Sequence, residues 1–377
     1  MNRQLNKKLS PFIGYLLIAT IISYYAGLNL GLQEVGFIVL FPILFAITLL
    51  NDKAVSIIKY QETIIFLLFL VLTFTAVFYT NIDYDKFIFT FNKILVAFIA
   101  AYIGIALSTK MSLEDYFHVA YIISLFIIIY FEYSSGNFNL ATFYAPTAMR
   151  YDFAYNANYY SYMSLFANFS IFRLHLKYKT KWTLLGLILI PFLGIAISFT
   201  VQTRSGLLFL LLINALFWLW VNKGKIKNPI KLILRKALLL IFAVVLSFQF
   251  YNIYDKSNIQ NRIGEDARGH LAARGFEVFV DYPFTGVGAG NFANYNRARA
   301  FSHNNYIEAL SEHGLFMGAL IIIVFVLPCF KSYKLFSSDR SNPEYRLNLL
   351  FFAVFIIYNN IYVFYQASFA MMYFFLM

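Results

Sequence analysis

The sequence predicts an all-α fold: a polytopic helical membrane protein of about 12 transmembrane helices with one large extracytoplasmic loop. Three observations predict it. Of 377 residues, 60% are hydrophobic and only 13% charged, where soluble domains carry roughly 25% charge. Mean hydropathy is +0.66. The apolar runs are also continuous, whereas a membrane β-barrel needs lipid-facing and lumen-facing residues to alternate. Crossing a hydrocarbon core of about 30 Å takes roughly 20 helical residues, which leaves little chain for a soluble domain. Residues 1–377 therefore read as a single membrane domain.

Apolar runs separated by polar breaks place the spans near 10–28, 34–50, 62–80, 87–107, 115–132, 156–173, 182–200, 206–221, 232–250, 314–330, 346–361 and 364–377, the last being short. Arg3, Lys7 and Lys8 before the first run resemble the start of a signal peptide, but no small-residue cleavage site follows, so the run reads as a retained helix. With the N-terminus cytoplasmic, 20 of the 30 lysines and arginines fall on the cytoplasmic side. That asymmetry is the positive-inside bias, and it supports the topology; a bacterial cytoplasmic (inner) membrane is the location that the family resemblance given below implies.

The other ten basic residues, seven of them arginine, lie on or near the opposite face. The net charge of +12 thus reads as topology plus an outer anion site, with no role for nucleic acid. Two outer segments are long: about 133–155, and 251–303, the large loop with six basic residues. The loop carries Pro283-Phe284-Thr285-Gly286-Val287-Gly288-Ala289-Gly290-Asn291-Phe292. Closely spaced glycines let a ligand approach the main chain, so an open loop is the expectation, with Tyr282 and Phe292 lining the growing chain that the family resemblance given below implies.

Candidate chemistry concentrates at three places. Ser302 is an expected N-cap, and four-residue spacing sets Asn304, Glu308 and Glu312 on one helix face suited to sugar hydroxyls. A neutral imidazole at its mouth, His303, can accept a proton from an attacking hydroxyl; an interfacial helix end is the plainer alternative. Arg204 lies between two apolar runs, where it either snorkels or binds an anion through its guanidinium fork, with the following helix N-terminus adding free amides. Arg262, Arg268 and Arg274 are either a solvated basic loop or contacts for an anionic lipid-linked substrate. Lys93 sits inside the fourth span, where snorkelling competes with a ligand contact. His118 reads as structural, His175 as a cytoplasmic-face residue, and His270 and His313 as secondary candidates. Cys329 is the sole cysteine, so a disulfide framework is excluded. Walker A, dinucleotide-binding and His-Glu-x-x-His sequences do not occur, and neither a metal nor another cofactor is called for.

Three segments together resemble the O-antigen ligase and O-antigen polymerase superfamily of integral membrane glycosyltransferases. These are Gln202-Thr203-Arg204-Ser205-Gly206; Arg268 followed fifteen residues later by the Pro283–Phe292 stretch; and Ser302-His303-Asn304-Asn305-Tyr306 through Glu312-His313-Gly314-Leu315. They cover about 200–318, while the N-terminal half supports the likeness only through its hydropathy. Phe284 and Ile307 replace the usual aliphatic residue and leucine, both mild changes. The resemblance implies a metal-independent reaction on an undecaprenyl-pyrophosphate-linked glycan, with Arg204 and Arg268 on the donor pyrophosphate and His303 activating the acceptor hydroxyl. Arg262, Arg274, Asn304, Tyr306, Glu308 and Lys93 are then candidate substrate contacts. A polymerase of repeat units for O-antigen or capsular polysaccharide is the expected activity, with a ligase to lipid A core and a lipid-linked oligosaccharide flippase as alternatives. Membrane lipids, a chain-length regulator and a flippase of the same pathway are the expected partners.

Overall fold

The computed structural model describes residues 2–25, 27–78, 83–111, 113–138, 153, 155, 157–201, 203–222 and 267–377. Among them all regular structure is helical. The expected run 232–250, Arg150, Lys256, Arg262 and much of the large loop lie outside the described residues. The principal helices are α1 (Asn2–Tyr25), α2 (Gln33–Asp52), α3 (Gln61–Thr75), α4 (Tyr84–Met111), α5 (Glu114–Ser134), α6 (Ala157–Tyr178), α7 (Lys181–Thr200), α8 (Arg204–Leu216), α9 (Ala267–Asp281), α10 (Asn305–Ser338), α11 (Pro343–Tyr358) and α12 (Ser368–Leu376). Among the described residues, six helical segments are long and apolar enough to cross a membrane: those containing α2, α3, α4, α5, α7 and α10. Pro11–Tyr25 and Ser205–Val221 are shorter apolar helices.

Two expected spans behave differently from simple lipid-facing rods. The run 156–173 becomes α6, whose face-to-face neighbours bury Asn158, Ser161, Ser164, Asn168 and Ser170 along with its apolar residues. Small polar side chains let helices approach closely and bond across the contact: Gly194 of α7 packs on Ser164, and Asn214 donates to Asn168 Oδ1 at 2.9 Å. The run 364–377 yields only α12, nine residues long and about 14 Å at 1.5 Å per residue, short of a full crossing. It is buried along its length against α4, where Gly104 leaves room for the Met372 carbonyl. Tyr121 of α5 donates to the Phe369 carbonyl at 2.6 Å.

Inter-helix polar contacts sort the bundle into two ends. At one, Arg173 pairs with Glu114 at 2.7 Å, Lys177 with Asp115 at 2.7 Å, and Lys331 with Glu62 at 2.7 Å. Arg346 there donates to the Trp220 and Ser341 carbonyls, each at 2.6 Å. His118 lies at this end on Ser170 Oγ at 3.2 Å, and His175 on Thr183 Oγ1 at 3.1 Å. The opposite end gathers the starts of α4, α8 and α10, the ends of α9 and α11, and the turn before α12.

Candidate functional site

The site is built around a break in α10. At Gly314 the backbone leaves the helix (φ 71°, ψ −176°), dividing Asn305–Ser338 into two rods. A short peptide from the glycine-rich stretch fills the break. Leu315 N–H donates to the Pro283 carbonyl at 2.7 Å, Val287 N–H to the Ser311 carbonyl at 3.0 Å, and Gly288 N–H to the Glu312 carbonyl at 2.8 Å. Gly286 (φ 63°) lies so close to the Glu312 and His313 backbone that a Cβ would collide with it, and a Cβ on Gly314 would meet the Phe284 carbonyl. Gly290 (φ 75°) rests likewise on Thr90 and the Lys86 carbonyl of α4.

The expectation of an open glycine loop is therefore corrected: Gly286 through Asn291 are buried, and the main chain they admit is the protein's own. Phe292 is buried with Val278 and Val287, so it is not a glycan-lining ring; Tyr282 is 41% exposed and remains accessible. Asn291 ties this loop to α4 by accepting the Asp83 amide at 3.0 Å, and Lys86 bonds to Asn294. Tyr295 completes the loop's contact with Tyr282. Its hydroxyl is raised above the ordinary tyrosine range, first by burial and then by Tyr282.

The His303 segment follows. Asn304, not Ser302, caps α10: its Oδ1 accepts from the Tyr306 and Ile307 amides at 3.0 and 3.1 Å. Ser302 instead bridges the turn, its Oγ donating to the Asn304 carbonyl at 2.9 Å. Between them His303 adopts φ 57°, the left-handed region, which non-glycine residues enter only where surrounding contacts hold them. The helix start is fastened to the α11–α12 connection. Asn305 N–H donates to the Asn359 carbonyl at 2.7 Å, Asn305 Oδ1 accepts from the Phe364 and Tyr365 amides at 2.8 and 3.2 Å, and Asn304 donates to Asn360 Oδ1 at 3.2 Å. Asn305, Asn360 and Tyr365 were not among the residues that motif spacing singles out. An Asn-Asn pair closing the apolar run 346–361 is the sequence signal that marks them.

The other candidates divide. Lys93 is half-buried in α4, its Nζ 4.1 Å from the Phe89 ring centroid and 5.7 Å from that of Phe301, two residues before His303. Tyr306 donates to the Ile356 carbonyl at 2.9 Å. Arg274 is engaged by the Tyr295 carbonyl and Glu277, each at 2.8 Å. Glu308 and Glu312 are buried, 0% and 1% exposed; Glu312 accepts from Tyr365 Oη at 3.2 Å. His313 is enclosed between Phe69 and Tyr365, ring centroids 4.8 and 5.9 Å away, while His270 is exposed on α9.

Arg204 opens α8 and Arg268 is the second residue of α9. The α8 start rests on α6, where Gly206 packs on Ser161 and Ser161 Oγ donates to Thr203 Oγ1 at 2.8 Å. One turn on, Phe209 meets Tyr358 at 5.2 Å between centroids, and Tyr358 immediately precedes the asparagines that hold the α10 start. Gly275 of α9 packs on Ile307 of α10. The start of α8 with Arg204, the turn of His303 and the later turns of α9 thus meet at one end of the bundle, Arg268 lying at the start of α9, and a helix start there presents amides to an anion.

A family model described as O-antigen ligase matches residues 188–323, from within α7 to beyond the break in α10. A comparison with curated proteins gives no match. The matched stretch contains Arg204, Arg268, the buried glycine loop and the His303 turn, on a multi-pass helical membrane scaffold. Over that stretch, about a third of the chain, the protein is similar to the O-antigen ligase family.

Proposed function

We propose that the protein is a polysaccharide polymerase, joining undecaprenyl-pyrophosphate-linked repeat units at the outer face of the cytoplasmic membrane. The observation that carries this reading is the convergence of the Arg204 helix start, the α9 helix of Arg268 and the His303 turn within the family-matched stretch. Arg204 and Arg268 hold the donor pyrophosphate, and Lys93 adds a third cation near the His303 turn. His303 takes the proton of the acceptor hydroxyl as that oxygen bonds to the anomeric carbon of the donor sugar. The C–O bond to pyrophosphate breaks at the same carbon, with inversion, and polyprenyl pyrophosphate leaves with the bonding electrons. The guanidinium groups stabilise the charge developing on that leaving group, and the imidazolium returns its proton to water.

About 12 spans, a cytoplasmic N-terminus and an extracytoplasmic 251–303 loop complete this reading. They put the paired-charge end of the bundle in the cytoplasm and the His303 end outside. A chain-length regulator and a flippase of the same pathway are its proposed partners. The description of the matching family favours a second reading, transfer of finished polymer to lipid A core. A deletion strain separates the two on a lipopolysaccharide gel. Single-repeat bands support the polymerase; core-only material with accumulated lipid-linked polymer overturns it in favour of the ligase. Purified protein incubated with lipid-linked repeat units should yield a ladder, which a flippase cannot make.

A further inference from the structure

Motif spacing sets Glu308 on a face suited to sugar hydroxyls, but the structure turns its carboxylate inward. Glu308 is fully buried, and its Oε2 accepts the backbone N–H of Ser302 at 2.6 Å, spanning six residues to clasp the turn that leads into α10. We propose that Glu308 is a positioning residue that fixes the backbone of His303, and through it the imidazole, for proton transfer. The inference rests on the role given to His303 above.

Four features support it. Ser302 and Asn304 flank His303 on either side, and both are immobilised: Ser302 by Glu308, Asn304 by Asn360 and by the cap it makes. His303 itself holds φ 57°, a conformation that relaxes toward negative φ once its neighbours are released. At 2.6 Å the Glu308 clasp is shorter than the bonds that Ser302 Oγ and the Asn304 side chain make at 2.9–3.2 Å. The second carboxylate oxygen, Oε1, has no hydrogen-bond partner among the described residues, although buried polar atoms are almost always paired. One turn on, the equally buried Glu312 carboxyl is its other side-chain neighbour, so Glu308 is held from the helix interior while it holds the Ser302 amide.

The test uses the full-length protein in nanodiscs, with lipid-linked repeat units extracted from a strain deleted for this chain. Steady-state rates are compared for wild type, His303→Ala, Glu308→Ala, Glu308→Gln, Glu308→Asp and the His303→Ala/Glu308→Ala double variant. A misplacement of about 1 Å costs on the order of 10²-fold in rate, so Glu308→Ala is expected to lose kcat on that order with KM within about twofold. Glu308→Gln keeps an acceptor oxygen at the same reach and is expected to stay within about fivefold of wild type. Glu308→Asp is one methylene short and falls with the alanine variant. The double variant should be no slower than His303→Ala alone, because the two residues act as one unit. Hydrogen exchange of residues 298–304 should quicken in Glu308→Ala.

Wild-type kcat in Glu308→Ala beside an inactive His303→Ala overturns the positioning role and leaves the reading of His303 intact. Multiplying losses in the double variant overturn it too. Wild-type kcat in His303→Ala removes the base and the positioning role together. If Glu308→Ala does not fold, the Gln and Asp variants decide: equal losses in both overturn the proposal, and recovery in Gln alone supports it.

Discussion

The two ends of the bundle hold their helices together by different chemistry. At one end the ties are ion pairs between helices: Arg173 on α6 reaches Glu114 on α5 and Glu344 on α11, and Lys331 on α10 reaches Glu62 on α3. At the other, among the described residues, amide side chains carry most of the ties, beside the bonds of Lys86 to Asn294 and of Tyr365 to Glu312. Asn291 joins the glycine loop to α4, while Asn304 and Asn305 join α10 to the turn before α12. The ion pairs found there, Lys86–Asp83 and Arg274–Glu277, join residues three apart on one helix. The difference has a physical reading. Charges spent on mutual pairing are silent toward a ligand, whereas Lys93 at the other end rests against the Phe89 and Phe301 rings.

Variants can break that comparison, and the largest effect is expected at the His303 end. His303→Ala should lower ladder formation by about 10²- to 10⁴-fold, the range of a general base, with an unchanged thermal unfolding midpoint. Retained activity would remove the functional meaning of the contrast. Next, Gly286→Val forces a side chain into the Glu312 backbone at positive φ. It should destabilise by on the order of 3 kcal/mol, seen as loss of folded protein by size-exclusion chromatography. A normal yield would contradict the interlocked backbone.

At the charged end the effects fall on stability alone. Arg173→Ala leaves Glu114 without its closest cation and should cost about 1–3 kcal/mol in the thermal midpoint, while the protein that remains folded turns over normally. Lost turnover in folded protein would show that this end also serves chemistry. The smallest effect belongs to Lys177→Ala. Its pair with Asp115 is largely solvent-exposed and should contribute under about 1 kcal/mol, with thermal unfolding nearly unchanged.

The helices that face lipid were legible from the sequence because their apolar runs are unbroken. The runs 62–80, 87–107, 115–132 and 182–200 fall on α3, α4, α5 and α7 within a few residues. Helix α6 was legible as a helix but not as an interior one, since its serines and asparagines gain their partners only from neighbours. The tenth run marks 314–330, whereas α10 starts at Asn305, because the polar first turns are buried by other segments and carry no hydropathy signal. At the site, residue types were readable and their orientations were not. Asn304 and Ser302 exchange the roles assigned by spacing, and Glu308 faces inward. The glycine loop was misread for the same reason. Gly286 and Gly314 make room for each other's chain, a reciprocity between residues 28 positions apart that linear spacing cannot display.

The clasp around Gly314 also sets an order of events during synthesis. The Pro283–Gly288 peptide can dock only after Ser311 through Leu315 have been made, and Asn305 finds its partners only when Phe364 and Tyr365 emerge. Every residue offered for chemistry precedes these closing contacts in the chain. A nascent chain halted after α10 would hold all of its reactive side chains and still lack an assembled centre, so competence arrives only when the last helices join the bundle.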